Sequence, residues 1–180
     1  FGMTVVACGT SLDDFRDADP DRLREVVAEL AADTDVLLLD SAAALDSRAA
    51  VLPIVLADRV IVVLQPTIPA LSDALKVQEY ATSYGTDVAG LLFNKVHDDD
   101  AIERIADKTE RYFDGPTLAT VPDSEAAREA RRAGRPLLAH APATPPAEAF
   151  RRAAAAIEVR DGGPEAVADR FRSAVIPDSP

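Results

Sequence analysis

The sequence predicts an α/β protein, a three-layer sandwich in which helices cover both faces of a mainly parallel sheet. Three observations lead there. Short runs of aliphatic and β-branched residues alternate with amphipathic stretches along the chain. The runs are apolar at consecutive positions, as strands buried on both faces are. Polar and turn-forming residues gather where the runs end: Asp40, Gln65-Pro66-Thr67, Asn94-Lys95 and Pro122-Asp123. In open parallel sheets that rim is where ligands bind.

Taken in order, residues 4–8 read as a short strand. Asp19-Pro20 opens a helix, with aspartate as N-cap and proline at the first helical position. Leu23, Val26, Val27 and Leu30 give that helix one apolar face. Residues 36–39 form a continuous apolar strand delivering Asp40. A helix containing Pro53 spans about 48–57, and 60–64 is the next strand. A helix over 69–84 is closed by Gly85. The strand 88–93 ends in Asn94-Lys95, and a helix over 98–113 opens with three aspartates that suit its positive end. Residues 117–121 are a strand and 124–133 a helix, broken at Gly134-Arg135-Pro136. A proline-rich loop, 142–146, leads into a core helix at 147–157. Beyond it Asp161-Gly162-Gly163-Pro164 is a linker signal, and 165–175 reads as one short tail helix. Residues 1–158 are therefore expected to form one α/β domain, and 159–180 a linker and tail.

At 180 residues one domain has enough chain to bury a core. No apolar run reaches the ~20 residues of a membrane span, and no secretory signal opens the chain, so a cytoplasmic protein is expected. The single cysteine, Cys8, excludes an internal disulfide framework. Acidic residues outnumber basic ones by 31 to 19, for a net charge of −12. Lysine occurs only at positions 76, 95 and 108. An acidic, lysine-poor, aspartate-rich surface repels polyanions and stays solvated at high ionic strength. It fits a halophilic, archaeal-like source and argues against DNA as a partner. Arg128, Arg131, Arg132 and Arg135 interrupt that pattern, with Glu125 and Glu129 among them as partners on the same helix. His97 and His140 stand in different loops without cysteines or acids at ligand spacing. In the tail, Val167, Phe171 and Val175 form an apolar stripe with few basic residues, which suits docking on the domain better than an anionic membrane.

An apolar strand that delivers an aspartate to its carboxyl end can hold Mg²⁺, commonly through water. Such an aspartate caps the following turn at least as often. The wider pattern is more specific. Asp35-Val-Leu-Leu-Leu-Asp40-Ser41-Ala42-Ala43-Ala44-Leu45 resembles the switch segment of the MinD/ParA family of P-loop ATPases, of the SIMIBI class. Leu56-Ala57-Asp58-Arg59, the strand after it and Gln65-Pro66 resemble the next family segment. Ala70-Leu-Ser-Asp73-Ala74, Leu91-Leu-Phe93-Asn94-Lys95-Val96, Val121-Pro122-Asp123, Gly134-Arg135-Pro136 and Pro142 to Phe150 follow in the family's order. The resemblance covers about residues 2–157.

That resemblance implies a P-loop NTPase-like fold, in part, and a role in an ATP-dependent positioning system for the division site or the chromosome. It implies Mg-ATP as the family's cofactor and a homodimer, or a related ATPase or regulator, as partner. It makes Asp40 the Mg²⁺ and switch aspartate, places Ala44 at the switch position, and sets Asn94, Lys95, Pro122 and Asp123 around the adenine. Two departures are visible. No Gly-Lys-Ser/Thr sequence occurs anywhere, so the phosphate-binding Walker A loop is absent from these residues. The switch glycine and a preceding proline are replaced by Ala44 and Ala42. The chain alone is therefore expected not to be ATPase-competent. The other reading is a pseudo-ATPase without a P-loop that serves as a protein-binding module.

Overall fold

The computed structural model describes residues 2–7, 19, 22–41, 45, 47–97, 109, 111–159 and 162–173. Its centre is a three-stranded parallel sheet in the order β1-β2-β3, with β1 at Arg59–Leu64, β2 at Asp87–Val96 and β3 at Thr117–Pro122. The described helices are α1 (Leu23–Ala32), α2 (Arg48–Leu56), α3 (Ile68–Ser83), α4 (Glu125–Arg132), α5 (Leu137–His140), α6 (Pro145–Ala156) and α7 (Pro164–Ser173). The fold is α/β, with the parallel sheet flanked by helices.

The alternation of β2 explains the layering. Leu91 and Phe93 turn to one face, where they meet Val62, Leu64 and the Ala74 and Ala81 stripe of α3. Leu92 turns to the other, where Leu118, Ala119 and Val121 of that face pack on Ala149 and Ala153 of α6. Both faces of β2 are buried, as its continuous apolar run requires. Small residues on α3 and α6 let the helices approach the sheet closely.

Local chemistry sets the boundaries. The Thr67 side chain accepts from Ala70 N at the start of α3, and proline occupies its first turn. Ser124 caps α4 by accepting from Ala126 N. Gly85 and Gly134 end α3 and α4 at positive φ, +75° and +62°, which favours residues without a Cβ. Gly90 answers a different need. A Cβ there would lie 2.5 Å from the Pro116 carbonyl oxygen and 2.7 Å from Leu118 Cγ, so β2 and β3 meet at this point only because the side chain is absent.

Three expectations need correction. Residues 36–40 join no ladder, and neither do 4–7, so neither is a strand among the described residues. A strand is defined by a hydrogen-bonding neighbour, and aliphatic composition alone does not supply one. The first α-helix begins at Leu23, and Arg22 rather than Asp19 holds its N-cap position. The helix expected over 98–113 lies largely outside the described residues, as do Cys8 and Ala44.

The tail docks on the domain. Val167 of α7 is buried against Val27 of α1 and Leu56 of α2. Arg170 donates to the Ala57 carbonyl and pairs with Asp58. Part of the apolar stripe of the tail is thus spent on the chain's own surface. No helix among the described residues is long and apolar enough to cross a membrane.

Candidate functional site

The carboxyl ends of β2 and β3 lie side by side because the two strands are parallel neighbours. Val96 pairs with Pro122, and Asp123 N donates to the Val96 carbonyl at 2.9 Å. Between Phe93 and Val96 the register shifts, so Asn94 and Lys95 are displaced from the ladder. Lys95 takes φ +55°, a left-handed conformation uncommon for a residue with a Cβ. The Asn94 side-chain oxygen accepts from Lys95 N at 2.9 Å, which holds this turn. Asn94, Pro122 and Asp123 are half-buried and Lys95 is exposed.

An ion network stiffens the rim. Arg128 Nη1 donates to both carboxylate oxygens of Asp123, at 2.8 and 2.7 Å, while its Nε donates to Glu125 at 2.7 Å. Arg132 reaches the other Glu125 oxygen at 2.9 Å, and His97 Nδ1 stands 3.5 Å from Asp123. The Arg128 hydrogen bonds hold the Asp123 carboxyl below its ordinary range, and Arg128 with Arg132 does the same to Glu125. These two arginines are engaged by acids on their own loop and helix. Beside the network opens a cavity of about 630 Å³, bordered by Thr120, Pro122, Asp123, Ser124, Glu148 and Arg152.

Asp40 stands elsewhere. It is exposed at the end of residues 36–40 and borders a separate cleft of about 510 Å³ between that stretch and β1. Its neighbour Ser41 donates its hydroxyl to the Ala50 carbonyl at 2.6 Å, tying the stretch to α2. The fold therefore brings Asn94, Lys95, Pro122 and Asp123 together on one rim, with Asp40 at a second opening. The sequence reading missed Arg128, Glu148 and Arg152 as rim residues. Arg128 could have been found, since an arginine one turn into a helix reaches back to an aspartate just before the cap.

Residues 25–170 match the family model described as 4Fe-4S iron–sulfur cluster binding proteins of the NifH/FrxC family. The chain belongs to the NifH/FrxC family. It is 32% identical over 154 residues to an uncharacterized ATP-binding protein of Methanocaldococcus jannaschii, covering 86% of this chain and 58% of that protein. Among solved structures it is similar to the septum site-determining protein MinD of Pyrococcus horikoshii in complex with Mg-ADP. That match has 28% identity and a TM-score of 0.70, and covers 81% of this chain and 59% of the other. The cell division ATPase MinD of Pyrococcus furiosus gives 28% identity and a TM-score of 0.71, covering 82% of this chain and 62% of the other. Fold and family thus align this NifH/FrxC chain with MinD/ParA-like P-loop ATPases, and it spans about three fifths of the relatives it matches.

The cluster in the family's description can be tested against the residues of this NifH/FrxC member. A 4Fe–4S cluster takes about four thiolates. The chain has one cysteine, so even two copies would supply only two. Among the described residues no group of three or more His, Cys, Asp or Glu could hold a metal ion. The donor set of these 180 residues does not fit a 4Fe–4S cluster. Mg²⁺ is a different case, because it is commonly held by one or two carboxylates together with nucleotide phosphates. A single exposed Asp40 fits that demand.

Proposed function

We propose that this chain is the base-binding and switch portion of a MinD/ParA-like ATPase that positions the division site or the chromosome, and that these 180 residues alone do not hydrolyse ATP. One observation carries the reading: Asn94 and Pro122-Asp123 end adjacent parallel strands on one rim, and an open cavity borders the Pro122-Asp123 end. An asparagine amide offers both a donor and an acceptor, as the adenine edge requires. Lys95 and Asp123 would border the base, with the Arg128 network keeping the Asp123 loop in place. Asp40 would hold Mg²⁺ together with the phosphates. The phosphate-binding lysine would come from outside these residues, since no Gly-Lys-Ser/Thr sequence is present. Homodimerisation around ATP and a cytoplasmic location complete the reading.

A second reading, a pseudo-ATPase binding module, draws on two facts. The Asn94 oxygen already accepts from Lys95 N, and Ala44 stands where the family carries glycine. The test that separates the two is Asn94→Ala in a fusion that supplies the relatives' phosphate loop ahead of residue 1. Leaving an adenine edge unpaired costs about 1–3 kcal/mol, so ATP should bind about tenfold or more weakly and ATP–GTP discrimination should fall. Unchanged affinity and base preference, with the fold intact, would assign Asn94 to turn formation and favour the binding module. Without the fused loop, calorimetry should find Mg-ATP binding weaker than micromolar.

A further inference from the structure

The tail helix and the Asp40 stretch share one small core. α7 has ten residues, and a helix of that length is marginal in water on its own. Docking is therefore what keeps it folded. Val167 is 3% exposed, in one cluster with Val27 of α1 and Leu56 of α2, each 2% exposed. Leu37 and Leu39, on either side of the exposed Leu38, pack on that same cluster. A few apolar side chains thus join the tail, two helices and the stretch that carries Asp40.

Polar contacts reinforce the arrangement. Arg170 donates to the carbonyl of Ala57, the C-cap of α2, and pairs with the Asp58 carboxylate. A guanidinium there satisfies an end carbonyl and lies at the negative pole of the helix. Gly162 lets the chain ahead of α7 pass close to this pair, since a Cβ on it would lie 2.6 Å from Asp58 Cγ. α2 is in turn the helix to which Ser41 is tied, through its hydroxyl on the Ala50 carbonyl. Residues 36–41 are thus held at Leu37, Leu39 and Ser41, and each of these contacts reaches an element that α7 grips.

We propose that α7 is a clamp on the Asp40 stretch. With the tail docked, residues 36–41 are held in one place; with it released, they loosen. The consequence for the phosphate and metal side of binding rests on the reading of Asp40 as the Mg²⁺ aspartate, whereas the clamp itself does not. Val167 and Arg170 are positioning residues, acting on Asp40 through Leu39 and α2. The strands that carry the Asn94 rim pack in other clusters, Phe93 on α3 and Val121 on α6, so base preference lies outside the reach of the clamp. Coupling of this kind is reciprocal. Whatever fixes Asp40 strengthens the docking of α7 by the same factor.

The first arm of the test uses the 180-residue chain without nucleotide. Amide exchange in α7 reports docking, because the undocked helix does not persist. Leu39→Ala should speed exchange in residues 167–173 about tenfold. In the other direction, Val167→Ser should lower the backbone order parameters of residues 38–41 from the rigid range, about 0.85, toward about 0.6. Gly162→Ala, which crowds Asp58 and leaves the apolar cluster unchanged, should lower them too. Gly90→Ala acts on the β2–β3 contact and controls for general destabilisation, so it should do neither. The second arm uses the fusion that supplies the relatives' phosphate loop. There Arg170→Gln should weaken Mg-ATP about fivefold or more, while ATP–GTP discrimination and nucleotide binding without Mg²⁺ stay as they were. A fusion that binds no Mg-ATP would remove the nucleotide reading and leave the clamp to be decided by the first arm. The clamp is overturned if Leu39→Ala leaves α7 protected, or if Val167→Ser and Gly162→Ala leave residues 38–41 as ordered as before. It is equally overturned if Gly90→Ala reproduces both effects, or if Arg170→Gln leaves Mg-ATP affinity unchanged in a fusion that binds it.

Discussion

Thr86 offers a direct test of how α2 is held to the sheet. Its side chain is buried, with the residue 2% exposed, and its hydroxyl donates to the Ile54 carbonyl at 2.9 Å. Ile54 lies in the last turn of α2, where carbonyls have no partner within the helix. Thr86→Val keeps the shape and removes the donor, so a buried carbonyl is left unsatisfied at a cost of about 1–3 kcal/mol. For a chain of this size each kcal/mol lowers Tm by about 2–4 °C, giving a drop of about 2–12 °C. Urea unfolding should show a lower midpoint with an unchanged slope, since the surface exposed on unfolding is the same. Thr86→Ser keeps the hydroxyl and loses one methyl group, about 0.8 kcal/mol. A neutral Thr86→Val beside a strongly destabilised Thr86→Ser would refute the reasoning, because packing of the methyl rather than the hydrogen bond would then be decisive.

Gly90→Ala should destabilise by about 1–3 kcal/mol, because the new Cβ meets backbone at Pro116 and the strands must separate; thermal melts check it, and a neutral result would mean the β2–β3 contact is looser than described. Arg128→Ala should let the Asp123 and Glu125 carboxyls rise toward their ordinary pKa values. Their depressed values contribute stability above the usual carboxylate range that is lost as pH falls through the folded values. The variant should therefore be less stable near pH 7, and the gap should close from about pH 5 downward as both carboxyls protonate; a gap independent of pH would show that Arg128 acts through packing. Finally, if the net charge of −12 is that of a halophile, Tm should rise as KCl goes from millimolar to molar concentration, and a flat or falling Tm would remove that inference.

What the sequence revealed follows from which interactions are local. The strands at Arg59–Leu64, Asp87–Val96 and Thr117–Pro122 were legible as aliphatic runs, and α3 and α4 as helical stretches ended by Gly85 and Gly134. The rim was legible because parallel neighbours must end together, so Asn94 and Pro122-Asp123 meet. The apolar run at 36–39 looked equally strand-like, yet pairing is a property of two segments and its partner could not be read from one. The Asp123–Arg128 pair was missed for a related reason. It links a strand end to a helix across a cap, whereas helical spacing in the sequence pairs the arginines with Glu125 and Glu129. Asp19-Pro20 carried the expected capping chemistry, but the helix starts at Leu23, whose side chain packs with Val27 of the same helix against Leu56 and Val167.

The two openings of the molecule differ in how completely they are built. The β2–β3 rim is anchored by the Asp123–Val96 bond, backed by Phe93 in the core, and braced by Arg128. The Asp40 side is an exposed stretch tethered by Ser41 to α2 and by Leu37 and Leu39 to the helices, with an open strand edge opposite. Under the proposed reading, a ligand spanning both would find the Asn94 rim preformed and the Asp40 side dependent on what holds residues 36–40. In the fusion that supplies the phosphate loop, Asp40→Ala should then weaken the phosphate and metal side of binding while leaving base preference intact. Asn94→Ala should do the reverse, because the asparagine amide is what distinguishes one base edge from another. Base preference that falls equally in both variants would remove the assignment of separate roles to the two openings.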